Sequence, residues 1–233
     1  GHFQVVRQID SIAESSPPSR ETLERLLPFL GGAEQLRYFF RHPRLEDSAW
    51  LLVLEAGGFF AQPPEPIIDQ DKRIETHVRW PASEYLVRMA AYAEARETVV
   101  RIARTIRSAS TTIRDNLIDL ALRLPPPSAA VLVPALIGSL RKTRWRWAPA
   151  EKLGALTDSL AGSGELAAAR RLLKGLVEVV PYPTTSGRGA TVLSPNPRTR
   201  VHWHHIERIV HTHLAGIIAG LVASMTPAQM KTP

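Results

Sequence analysis

Two stretches 67 positions apart, "WPASEYLVRM" at 80–89 and "WAPAEKLGAL" at 147–156, align Trp80 with Trp147, Glu84 with Glu151 and Leu86 with Leu153. Between them "NLIDLAL" carries the same apolar pair, so that Leu86/Met89, Leu117/Leu120 and Leu153/Leu156 recur at intervals of 31 and 36 residues. That period suits a helical hairpin, a unit too small to cover both faces of its own apolar helices, so that neighbours must stack on it. The repeat asks for an all-α array in which each copy buries the next.

Each first helix is followed by a second apolar run at helical spacing. The three runs are Val99, Ile102, Ala103 and Ile106, then Val131, Leu132, Ala135, Leu136 and Leu140, then Leu172, Leu173, Leu176 and Val180. Three antiparallel hairpins are therefore expected over 81–180. Upstream, Ser19 stands where its hydroxyl caps "RETLERLLPFL", which stops at Gly31-Gly32. "LEDSAWLLVLEAGGFF" reads as a helix opened by acidic residues and stopped by Gly57-Gly58. Residues 1–60 are thus expected to form N-terminal helices. From 61 to 80, Pro63, Pro64 and Pro66 block regular hydrogen bonding and "IETHVRW" alternates, which gives an extended Pro-rich loop with room for one short strand. Residues 181–200, rich in Pro, Gly, Ser and Thr, read as a flexible loop, and 201–225 as a helix that packs on the array or on a partner.

This pattern resembles the HEAT and armadillo class of α-solenoid repeats over roughly residues 80 to 180. The resemblance implies a curved right-handed solenoid that works as a scaffold or docking surface, without catalysis or cofactor. The phrases "AGGFFAQPPEP" and "WPASEYLVRMA" are also similar to helical regions of large bacterial multidomain proteins, some linked with nucleotide-driven conflict or phage defence. That likeness implies the sensing or docking arm of a larger antiviral-defence protein. The opening Gly1-His2-Phe3, without an initiator methionine, reads as a tag scar on a fragment.

Charge singles out one region. Of the net +7, a local excess of seven lies between Arg96 and Arg146, where ten cations meet three anions. Such a concentration steers anionic partners, although arginine makes up 24 of the 29 cations and compositional bias alone accounts for a cluster. Arg101, Arg104 and Arg107 recur every three residues on one helix. With Arg141, Lys142, Arg144 and Arg146 they are candidates to line a surface for phosphates, and Trp145 is placed to stack on a base. No defined nucleic-acid-binding motif accompanies them, so nucleic-acid binding through 96–146 stands as the alternative to docking a protein or another domain of the parent chain.

Chemistry finds few anchors. Cysteine is absent, which excludes disulfides, thiolate zinc sites and a cysteine nucleophile, and fits a cytoplasmic protein. There is no GxSxG elbow, no GxxxxGK[ST] phosphate loop and no GxGxxG turn after a strand. His204, Glu207 and His211 share a helical face at i, i+3 and i+7, a weak zinc-ligand candidate whose consequence, a metal-dependent hydrolase, is the second alternative. The plainer reading of those residues is a Glu207–His211 surface pair. Asp69, Asp71 and Glu75 lack EF-hand spacing. "LAGIIAGLVASM" at 214–225 is about half the roughly 20 residues that cross a bilayer, so no membrane span is expected, and its Gly216 and Gly220 read as a close-packing seam.

Overall fold

The computed structural model describes residues 2–69, 71, 74–142, 150–176, 179–183 and 191–195. Among them ten α-helices pack together: α1 (His2–Ser15), α2 (Arg20–Leu26), α3 (Ala33–Arg41), α4 (Ala49–Ala56), α5 (Pro81–Met89), α6 (Arg96–Ala103), α7 (Thr111–Arg123), α8 (Pro126–Lys142), α9 (Ala150–Gly162) and α10 (Leu166–Leu176). Two antiparallel ribbons accompany them, β1 (Ile67–Asp69) with β2 (Ile74–Thr76) and β3 (Val179–Pro183) with β4 (Thr191–Pro195). The described residues are thus mostly helical.

Helix boundaries follow local chemistry. Ser19 Oγ accepts from the Thr22 amide at 3.1 Å and opens α2. Pro81 occupies the first helical position of α5, where its missing N–H leaves nothing unbonded. After α4 the Phe59 amide reaches the Leu54 carbonyl and the Gly58 amide the Glu55 carbonyl, a Schellman closure that needs the φ of +78° found at Gly58. Gly164, at φ +87°, closes α9 with the same pattern.

The helices pair in a regular order. α1 packs on α2, α5 on α6, α7 on α8 and α9 on α10. Along the chain α3 also packs on α1 and α5, and α7 on α5 and α9, while α4 packs on α2 and α6, and α8 on α6 and α10. Odd-numbered helices therefore form one row and even-numbered helices a second. Only Leu124 and Pro125 separate α7 from α8, a connection short enough to force antiparallel neighbours. Leu86, Met89, Leu117, Leu120, Leu153 and Leu156 are all buried, so the apolar pair read from the repeat faces the core in three consecutive first-row helices. Of the second-helix positions, Val99, Ile102, Leu132, Leu136, Leu140 and Leu172 are buried, whereas Val131 is 41% exposed.

An aromatic cluster joins α3, α4 and α5. Phe39 meets Trp50 edge-on at 6.0 Å, Phe40 meets Phe59 at 5.9 Å, and Phe60 stacks on Tyr85 at 6.4 Å. Tyr85 is fully buried and its hydroxyl donates to the Leu45 carbonyl at 2.9 Å. Arg88 donates to the Phe40 carbonyl and lies 5.5 Å from the centre of the Tyr85 ring. Burial pushes the Tyr85 phenol far above its ordinary value. Because the folded state resists ionising it, this contribution to stability is complete below about pH 10, where an unfolded tyrosine begins to ionise, and is lost as pH rises further. Tyr85→Phe leaves the Leu45 carbonyl without its donor and is expected to cost about 1–3 kcal/mol at neutral pH. Urea unfolding measures the cost, and the variant should lose less stability than the parent protein between neutral and strongly alkaline pH.

Three expectations change. The segment Pro43–Glu46 is a 3₁₀ turn rather than the start of a helix, and α4 begins only at Ala49, where Asp47 Oδ1 accepts from the Ala49 amide at 2.9 Å. The Pro-rich loop holds a paired ribbon and not one strand, with Ile67 opposite Thr76 and Asp69 opposite Ile74. Its leading end is fastened to the α6–α7 connection: Ser108 Oγ donates to the Pro64 carbonyl at 2.8 Å and the Ala109 amide to Glu65 Oε2 at 2.8 Å. Val180 belongs to β3 and not to the helix before it, because α10 ends at Leu176 and Pro181 disfavours helical geometry at the residue it follows. The end of β3 and the whole of β4 lie within 181–200, the stretch expected as a flexible loop.

Candidate functional site

The arginine stripe divides on inspection. Arg101 forms a two-pronged ion pair with Glu55 of α4, one prong being Nη2 to Oε2 at 2.8 Å, and so ties two adjacent second-row helices together. Arg107 turns Nη1 back onto the Arg104 and Ile106 carbonyls at 2.7 and 2.8 Å, satisfying acceptors just past the C-terminal end of α6. Arg104 is exposed, and no ion pair or hydrogen bond of its side chain occurs among the described residues. Of the three it alone has its full charge and hydrogen-bonding capacity available.

Arg141 and Lys142 are the last two residues of α8, which packs beside α6. Their side chains, and the whole of Arg144, Trp145, Arg146 and Trp147, lie outside the described residues. The same holds for His204, Glu207 and His211, for the proposed helix at 201–225 and for its Gly216 and Gly220. Among the described residues no group of three His, Asp or Glu side chains is arranged to hold a metal ion. Asp69 Oδ1 accepts from the Asp71 amide at 3.1 Å, and Glu75 Oε1 lies 4.0 Å from His77 Nε2, so two of these three loop carboxylates already have local contacts.

The first row spends its polar side chains between its own helices. Tyr38 donates to Asp10 Oδ1 at 2.7 Å from α3 to α1, and Arg41 reaches Glu84 at 3.4 Å from α3 to α5. Asn116 donates to Ser83 Oγ at 2.8 Å from α7 to α5, and Lys152 to Asp119 at 2.5 Å from α9 to α7. Every successive pair in that row is bridged. A cleft of about 310 Å³ lined by Tyr38, Arg41 and His42 belongs to this system. His42 Nδ1 accepts from the Arg44 amide at 3.2 Å, which leaves the ring proton on Nε2, 3.5 Å from Asp10 Oδ1. Through these two contacts the buried His42 fixes the chain between α3 and α4. The hydrogen bond to Asp10 holds the Tyr38 phenol above its ordinary value, so the neutral hydroxyl is the bonded form.

Sequence reasoning passed over the cations of α10. Arg170, Arg171 and Lys174 are all exposed on that helix, and no side-chain ion pair or hydrogen bond of theirs occurs among the described residues. Their spacing at i, i+1 and i+4, in a helix that carries no acidic residue, was the available signal. Among the described residues no helix is long and apolar enough to cross a membrane. In comparisons with protein-family models, curated proteins and solved structures, nothing matches the chain.

Proposed function

We propose that the chain is a non-enzymatic α-solenoid of the HEAT and armadillo kind that serves in the cytoplasm as a scaffold or docking arm of a larger protein and binds a macromolecular partner. One observation carries this reading: each helix packs on the next but one along both rows, with the same apolar pair buried at Leu86/Met89, Leu117/Leu120 and Leu153/Leu156. Units related in this way build an extended surface in which every helix of a row presents one outer stripe, the form in which solenoids recognise partners. Polar contacts bridge every successive pair of first-row helices, which favours the second row as the partner side. Photo-cross-linking in the native cell from exposed positions on each row tests the proposal. Cross-links to a macromolecule confined to one row support it; their absence, or an even scatter over both rows, contradicts it.

The unpartnered Arg104 favours a second reading, binding of RNA or DNA through phosphates. That reading expects oligonucleotide affinity to fall steeply with salt and to drop on Arg104→Glu. Salt-insensitive binding, or none, rejects it.

A further inference from the structure

We propose that the outer face formed by α6, α8 and α10 docks an acidic amphipathic helix from a partner protein. The proposal rests on the docking reading and names the chemistry of its partner.

The centre of this face is unusually apolar. No charged residue occurs from Leu124 to Leu140, and Pro127, Val131 and Pro134 are exposed, with Gly138 half-buried. These positions follow i, i+4, i+7 and i+11, so they form one stripe about 17 Å long at the rise of an α-helix. The opposite side of α8 is already committed to the core through Leu132, Val133, Leu136 and Leu140. A surface helix ordinarily carries charged and polar residues on its outer side, and one that is apolar all round is covered all round. α8 has the composition of a covered helix and an uncovered stripe.

The flanks say what covers it. α8 packs against α6 on one side and α10 on the other. α10 exposes Arg170, Arg171 and Lys174 and has no acidic residue, while on the other side the unpaired Arg104 stands just past the end of α6, whose Arg101 is already paired with Glu55. Gly175 brings α10 close: a Cβ there would stand 3.0 Å from Ile137 Cγ1 of α8, so the cationic helix lies tightly beside the apolar stripe. An apolar strip rimmed by cations complements a helix whose aliphatic stripe is rimmed by carboxylates. A nucleic-acid backbone fits less well, because its phosphates would meet no charge along the middle of the face.

The chain has no cysteine, so a single thiol reports on this stripe without background. Val131→Cys in the full chain should react with a maleimide as fast as an exposed thiol; protection would mean that the chain covers the stripe itself and would overturn the proposal. The binding probe is a synthetic helix of three to four turns, about 11–15 residues, with leucines along one face and glutamates on both sides, followed by fluorescence anisotropy. It should bind the parent chain, and Val131→Asp and the double variant Arg170→Glu/Arg171→Glu should each weaken it by about tenfold or more. Both variants alter exposed positions, and an unchanged thermal midpoint shows that folding is not what was lost. Equal binding of a scrambled peptide, or an unaffected Val131→Asp, overturns the proposal. So does an RNA or DNA oligonucleotide that depends on Arg170 and Arg171 while the peptide fails to bind. None of these peptide results touches the docking reading, which stands or falls on whether cellular cross-links concentrate on one row.

Discussion

Leu117→Ala is expected to lower the free energy of unfolding by about 2–5 kcal/mol, the range for truncating a buried leucine when the surroundings only partly collapse into the space. Leu117 is 3% exposed on α7, and α7 packs against α5, α8 and α9, so the cavity would open where two successive hairpins meet. The same truncation at Leu86 or Leu153 should fall in the same range, because those residues occupy the equivalent place one unit earlier and one later. Leu122→Ala, five positions further along the same helix at 36% exposure, should change stability by no more than about 0.5 kcal/mol. Urea unfolding of the four variants measures the contrast, and similar losses at Leu117 and Leu122 would deny that the repeat register sets the core.

Trp50→Ala should cost about 3–5 kcal/mol. The indole is 1% exposed, its edge meets Phe39, and it sits on α4 beneath the aromatic cluster that connects α3 to α5. No small rearrangement fills that volume, because Leu51, Leu54 and Phe40 around the cluster are themselves buried. Near-ultraviolet circular dichroism should lose intensity along with stability, since Phe39 loses its edge-to-face partner and Tyr85 its fixed surroundings. A loss of less than about 1 kcal/mol would place Trp50 at the surface.

The first-row pair Leu86/Met89 and its two repeats were legible because burial on a helix is periodic and the period survives substitution of everything around it. The end of α4 was legible for a similar reason: the Schellman closure demands a residue free to take positive φ, and Gly57-Gly58 announces it. Val180 was misassigned because an apolar spacing continues smoothly across the point where Pro181 forbids a helix. The functional side was less legible. Nothing local tells that Arg101 finds Glu55, a residue 46 positions away in another helix, or that Arg107 folds back onto carbonyls just past the end of α6. These are tertiary facts, and they reduce a three-arginine stripe to Arg104. The opposite error hid α8. Val131 was read with the apolar run of a second helix, yet it meets solvent together with Pro127 and Pro134.

The order of the first row is tested most directly by bridging engineered thiols in this cysteine-free chain. Ser83→Cys with Asn116→Cys joins α5 to α7, and Asp119→Cys with Lys152→Cys joins α7 to α9, at positions whose side chains meet within 2.8 and 2.5 Å. A short thiol-bridging reagent should link both pairs rapidly in the folded protein and leave the mismatched pair Ser83→Cys with Lys152→Cys unlinked. Failure of either matched pair, or equal linkage of the mismatched one, would contradict the stacking of each helix on the next but one.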